Sequence, residues 1–176
     1  GSVLLRKPRA RLESVNDLNG DVVIYFKVLR DRPAELIRAI DLTPYSEAEF
    51  TYLKLLQQRG ALGDADPIEW ARRFYYLCWA SIRPGPIVFK SGWRMMTELN
   101  RGSAPAMDFA NNDLARVAER LRGVQVYSRE ALQLLEDHRT GLRSLIYFDP
   151  PYLDQLRTES NNYGDHEQSI DWHRQA

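Results

Sequence analysis

Asp149-Pro150-Pro151-Tyr152 follows directly on four apolar residues, Leu145-Ile146-Tyr147-Phe148. The apolar run reads as the end of a buried strand, over residues 144–148. Ligands of open α/β sheets bind at such strand ends. Pro150 and Pro151 fix φ and carry no N–H, so the local backbone offers acceptors without competing donors. The Asp149 carboxylate and the Pro150 carbonyl can then both accept from one planar NH₂ group, while Tyr152 supplies a face for a ring. Such a site suits the exocyclic amine of a nucleobase extruded from a duplex. A strand that merely stops at a Pro-Pro turn accounts for any one of these residues. It accounts poorly for the tetrapeptide and its strand together.

The elements that must position this turn belong to a chain of ordinary domain size, 176 residues, 44% hydrophobic and 27% charged. That balance indicates a globular protein with a sizeable core. Its 24 basic and 24 acidic side chains cancel, so binding nucleic acid requires positive charge gathered on one face. Cys78 stands alone, which excludes an intrachain disulfide and favours a reducing, cytoplasmic compartment. No long apolar run or signal-peptide pattern indicates a membrane. Three scattered His residues and one Cys give no metal constellation.

Along the chain, residues 6–11 form a basic loop with Pro8, and residues 12–15 a short strand ending at Asn16-Asp17-Leu18-Asn19-Gly20. Val22, Val23, Phe26 and Leu29 recur at helical spacing, and Pro33 opens a second helix that stops at Thr43-Pro44. Ser46-x-x-Glu49 is a capping-box pattern for a helix to about Gln58, ended by Gly60. Asp66-Pro67-x-Glu69 opens another, with Trp70, Phe74, Leu77 and Cys78 as a core stripe.

Residues 81–107 are rich in Gly and Pro and carry Arg83, Lys90, Arg94 and Arg101 around Trp93. Composition alone favours a surface loop; the alternative is a basic loop lying against DNA phosphates. Asn112 is placed as the cap of a helix through Leu121 to Gly123, followed by a strand at 124–127. Ser128 is placed as the cap of a helix through Leu135. Short strands alternating with helices indicate an α/β, Rossmann-like, doubly wound and mostly parallel sheet.

The chain resembles the Dam-type DNA adenine-N6 methyltransferases over most of its length. The resemblance rests on residues 16–21 (NDLNGD), 28–33 (VLRDRP), 72–74 (RRF), 92–94 (GWR), 117–124 (VAERLRGV) and 147–152 (YFDPPY), in that order. The Asp form of the final motif points to adenine N6 rather than cytosine N4.

The family implies S-adenosylmethionine as cofactor, S-adenosylhomocysteine as product, no metal, and double-stranded DNA as partner, with a monomer favoured over an oligomer. It implies Asp149, Pro150 and Tyr152 as catalytic residues, with Asp149 also beside the cofactor. Asp17 matches the acid that holds the ribose hydroxyls; an Asx-turn or helix-cap aspartate is the ordinary role for Asp in Asn-Asp-x-Asn-Gly, and the two are compatible. Glu130 matches an acid near the cofactor, and a plain helix-N-terminus glutamate is an equal reading. Tyr163 matches a residue at the flipped base or its flank, whereas His173 matches a structural one.

Residues 30–110 match an all-helical target-recognition insertion between the second and third strands, with Arg83, Lys90, Arg94 and Arg101 as DNA contacts. Residues 1–29 and 111–176 match a partial methyltransferase core. The family's Phe-x-Gly-x-Gly cofactor motif would precede Val3, leaving only its last glycine as Gly1. Further strands would follow position 173. The sheet is thus expected to be incomplete at both ends, and this stretch alone to be marginally stable and to bind cofactor poorly. A non-catalytic DNA-binding remnant is the second reading, and a protein or RNA amino-methyltransferase the third.

Overall fold

The computed structural model describes residues 2–82, 91–95, 104–137 and 145–149. Their order is α1 (Ser2–Arg6), β1 (Ser14–Asn16), α2 (Gly20–Asp31), α3 (Pro33–Asp41), α4 (Glu47–Gln58), α5 (Pro67–Ala80), α6 (Ala104–Leu121), β2 (Gln125–Tyr127) and α7 (Ala131–Asp137).

Helix starts follow local capping chemistry. The Asn19 side chain accepts from the Asp21 and Val22 amides at 2.9 and 3.4 Å and opens α2. Asp66 accepts from Ile68 and Glu69 at 3.0 and 3.3 Å and opens α5, where Pro67 sits at a position whose N–H needs no partner. Ser46 accepts from the Glu49 amide at 3.4 Å, but the reciprocal half of the capping box is replaced. The Tyr76 hydroxyl accepts from the Ser46 amide and donates to its carbonyl, both at 2.8 Å. The Glu49 carboxylate turns instead to Arg72 at 2.7 Å, joining α4 to α5.

Glycines end two helices. After α4, Gly60 (φ 66°) and Ala61 donate to the carbonyls of Gln57 and Leu56 at 3.1 and 2.9 Å, a Schellman closure. After α6, Gly123 lies at φ 77°, and the Arg9 guanidinium reaches back to the carbonyls of Glu119, Arg120 and Arg122 at 2.8, 3.2 and 2.5 Å. A cation there complements the negative end of the helix. A Cβ on Gly123 would meet nothing within 4 Å, so strain alone sets its cost. Gly123→Ala should lose about 1–2 kcal/mol, and Gly123→Asn less, read as a shift in the urea midpoint.

One apolar cluster joins Leu4 of α1, Leu29 of α2, Leu36 of α3, Leu53 of α4, Leu77 of α5 and Leu121 of α6. The last five are fully buried, each contributing roughly 1.5–3 kcal/mol by leaving water. Helix α2 packs on α5, and α3 on both α5 and α6. The strands pair in parallel, Ser14 with Gln125, Val15 with Val126 and Asn16 with Tyr127. A parallel pair requires a crossover, supplied here by the helices between β1 and β2.

Three expectations are corrected. Asn112 is not a cap: α6 begins at Ala104, because Pro105 belongs naturally in a first turn and Ala106, Met107 and Ala110 are helix formers. Ser128 is not the cap of α7. The amide and carbonyl of Arg129 are both bonded to Asn16, which holds the chain out of helix until Glu130. There the Glu130 carbonyl accepts from Leu134 at 3.1 Å and its carboxylate from Gln133 at 2.9 Å. Finally, residues 145–148 form neither a strand nor a buried segment; Leu145 is 93% exposed. Among the described residues the sheet has two strands, and neither offers this segment a ladder. Apolar residues without a neighbouring strand have nothing to be buried against.

Candidate cofactor and target site

Because β1 and β2 run in parallel, their carboxyl ends open on the same edge, the one that binds ligands in α/β sheets. Asp17 is the first residue beyond β1, and its amide donates to the Tyr127 carbonyl at the end of β2 at 3.4 Å. Its Oδ1 accepts from the Asn19 amide at 2.9 Å, closing an Asx turn that delivers Asn19 to the start of α2. Asp17 is half-buried, and among the described residues its Oδ2 accepts no hydrogen bond. Beside it, Leu18 keeps its side chain partly in solvent at 39% exposure.

Glu130 lies three residues beyond β2, at the same edge, as the cap of α7. The Asn16 side chain ties the two loops together. Its Nδ2 donates to the Arg129 carbonyl and its Oδ1 accepts from the Arg129 amide, both at 2.9 Å. Asp21, in the first turn of α2, accepts from Trp70 Nε1 at 2.7 Å, which fixes α5 beneath this turn. The Trp70 ring also fills the space against Gly63, where a Cβ would come within 3.0 Å of it. Sequence reasoning placed Trp70 in the core stripe and had no signal for its bond to Asp21.

Asp149 is exposed, at the end of the described segment 145–149. Pro150 and Tyr152, like Gly1, Arg83, Lys90, Arg101, Tyr163 and His173, lie outside the described residues. Arg94 is half-buried in a two-stranded stem: Ser81 pairs antiparallel with Trp93, the Ile82 amide donates to the Gly92 carbonyl at 3.0 Å, and the Arg94 amide donates to Ala80 at 2.7 Å. The Tyr45 hydroxyl donates to the Arg94 carbonyl, and its ring lies 5.6 Å from that of Trp93. One Arg94 nitrogen reaches the Ile82 carbonyl at 3.4 Å.

At the opposite, amino edge, Glu13 is buried and bonded by Arg120 at 2.6 and 2.8 Å, by Lys7, and by the Ala10 amide at 3.0 Å. The Arg120 guanidinium above all, with Lys7 and the Ala10 amide, holds the Glu13 carboxyl well below the usual carboxylate range against the opposing effect of burial. This cluster is structural. Burial, with the Asp21 charge adding, pushes the Cys78 thiol up to about 12, which argues against thiolate chemistry at neutral pH. Among the described residues no group of His, Cys, Asp and Glu could hold a metal, and no helix is long and apolar enough to cross a membrane.

These features fit a nucleoside-binding strand edge: a carboxylate with one oxygen structurally committed and the other available to hydroxyl donors, next to an exposed aliphatic side chain. The chain matches the D12 class N6 adenine-specific DNA methyltransferase family over residues 1–176 and belongs to it. No curated protein matches the chain.

Proposed function

We propose that the protein methylates adenine N6 in double-stranded DNA, using S-adenosylmethionine. The observation that carries this reading is the family match over residues 1–176, which includes an intact Asp149-Pro150-Pro151-Tyr152. In this reading β1 and β2 belong to a wider Rossmann-like, doubly wound sheet. Residues 1–29 and 111–176 contribute to the methyltransferase core, and residues 30–110 to target recognition, with Arg83, Lys90, Arg94 and Arg101 against phosphates.

Asp17 Oδ2 accepts from the ribose hydroxyls, and Leu18 packs against the adenine ring of the cofactor. Glu130 and Gly1 line the same site. When bound, the cofactor supplies an electrophilic methyl group and leaves as S-adenosylhomocysteine. The residues of the chain act on the target base. Tyr152 stacks on the extruded adenine, with Tyr163 at its flank. Asp149 and the Pro150 carbonyl accept from the amino group and keep its lone pair directed at the methyl carbon as the nitrogen becomes tetrahedral. Holding the reactants in that geometry contributes on the order of 7–11 kcal/mol. The Asp149 charge favours the cationic amine that develops, the more so where water is excluded.

The test is transfer of tritiated methyl from S-adenosylmethionine to duplex DNA by the full-length protein. Label should enter adenine-containing duplexes and not duplexes whose adenines are replaced by purine. DNA binding without transfer would instead identify a non-catalytic DNA-binding remnant.

A further inference from the structure

We infer that Asn16 is a positioning residue for the cofactor site, docking the segment that carries Glu130 onto the end of β1 and so setting the spacing between Asp17 and Glu130. The inference rests on the proposed ribose-binding role of Asp17. Asn is a poor strand residue, yet it occupies the last position of β1. The structure gives it a use there. Its amide behaves as one more rung of the parallel pair, accepting from and donating to the same residue, Arg129, at 2.9 Å each way.

The orientation is determined by chemistry. Exchanging the amide oxygen and nitrogen would set donor against donor and acceptor against acceptor. Among the described residues the backbone offers little to replace it, since beyond the three paired positions the edge has only the long Asp17–Tyr127 bond at 3.4 Å. The Arg129–Asp137 ion pair at 2.7 Å is half exposed and joins the segment to α7, not to β1. Asn16 is therefore a side chain that couples the two acid-bearing loops, across 113 positions of sequence.

Titration of the full-length protein with S-adenosylhomocysteine, and with its 2′,3′-dideoxy analogue, tests the role. Asn16→Ala should weaken S-adenosylhomocysteine about tenfold, the scale of one or two lost hydrogen bonds. It should weaken the dideoxy analogue by no more than about twofold, because the lost alignment concerns the hydroxyls. KM for duplex DNA should hold. Should Asn16→Ala fail to fold, Asn16→Asp keeps the acceptor for the Arg129 amide, loses the donor, and is expected to show the same discrimination between the two ligands.

Equal losses for both ligands would reveal a merely structural residue and overturn the inference. Asp17→Ala serves as the reference. If it weakens binding while Asn16→Ala does not, the positioning role is wrong and the ribose site stands. If neither does, both are wrong.

Discussion

Asp149→Ala is expected to abolish methyl transfer, a loss in kcat of at least about a thousandfold, while S-adenosylmethionine affinity stays within about twofold. The separation follows from what the carboxylate does. Asp149 is exposed at the end of its segment, and in the proposed reaction it accepts from the target amine and matches charge that develops only as the new bond forms. Interactions confined to the transition state appear in kcat and not in ground-state affinity. Asp149→Asn keeps the shape and one acceptor but loses the charge that matches the developing cationic amine, so its activity should also fall steeply. Single-turnover kinetics with saturating cofactor and a short adenine-containing duplex measure both variants. Retained transfer in either would remove Asp149 from the reaction.

The second large effect lies far from the chemistry. Glu13→Ala should destabilise the protein by roughly 1–3 kcal/mol, the cost of leaving the partners of a removed hydrogen-bonding group unsatisfied. The Glu13 side chain is 4% exposed and that of Arg120 is 15% exposed, so the half-buried guanidinium left behind would lose both of its bonds to the carboxylate. Arg120 Nε already lacks a partner among the described residues.

The pH dependence has a definite sign. The folded-state pKa of Glu13 is lowered from its usual 4.5, so the pair's contribution is complete above about pH 4.5. Below that value it shrinks, because the unfolded chain takes up the proton first, and it is gone once the folded carboxyl, whose pKa lies far lower, is protonated too. Thermal melts of wild type and Glu13→Gln between pH 7 and pH 3 should therefore converge as the pH falls. A constant difference would show that the pair does not titrate in this range.

Features decided within a few residues were legible in the sequence. Ser46 and Asp66 each cap the helix that follows because the acceptor and its donors lie two or three positions apart. Gly60 and Gly123 end helices because the turn there takes positive φ. Features decided at long range were not legible. Glu49 belongs to Arg72 on another helix, so the second half of the capping box never forms.

The Leu145–Phe148 run has the composition of a strand, but a strand exists only where a neighbour completes its ladder, and hydropathy carries no information about that neighbour. The same holds at the candidate site. The Asx turn of Asp17 was readable from Asn-Asp-x-Asn-Gly, whereas the Asn16–Arg129 bonds that bring the second loop beside it were not. The start of α6 was obscured by Gly102 and Pro105, whose loop-like composition hides that proline is at home in a helix's first turn.

In the proposed reaction the exposed Asp149 carboxylate accepts from the amino group of adenine. The most direct test of this is to react the full-length protein with duplex DNA and methyl-labelled S-adenosylmethionine, digest the product to nucleosides, and identify the labelled one by chromatography and mass. All of the label should co-migrate with N6-methyldeoxyadenosine. Label in N4-methyldeoxycytidine, or in protein rather than DNA, would contradict the account.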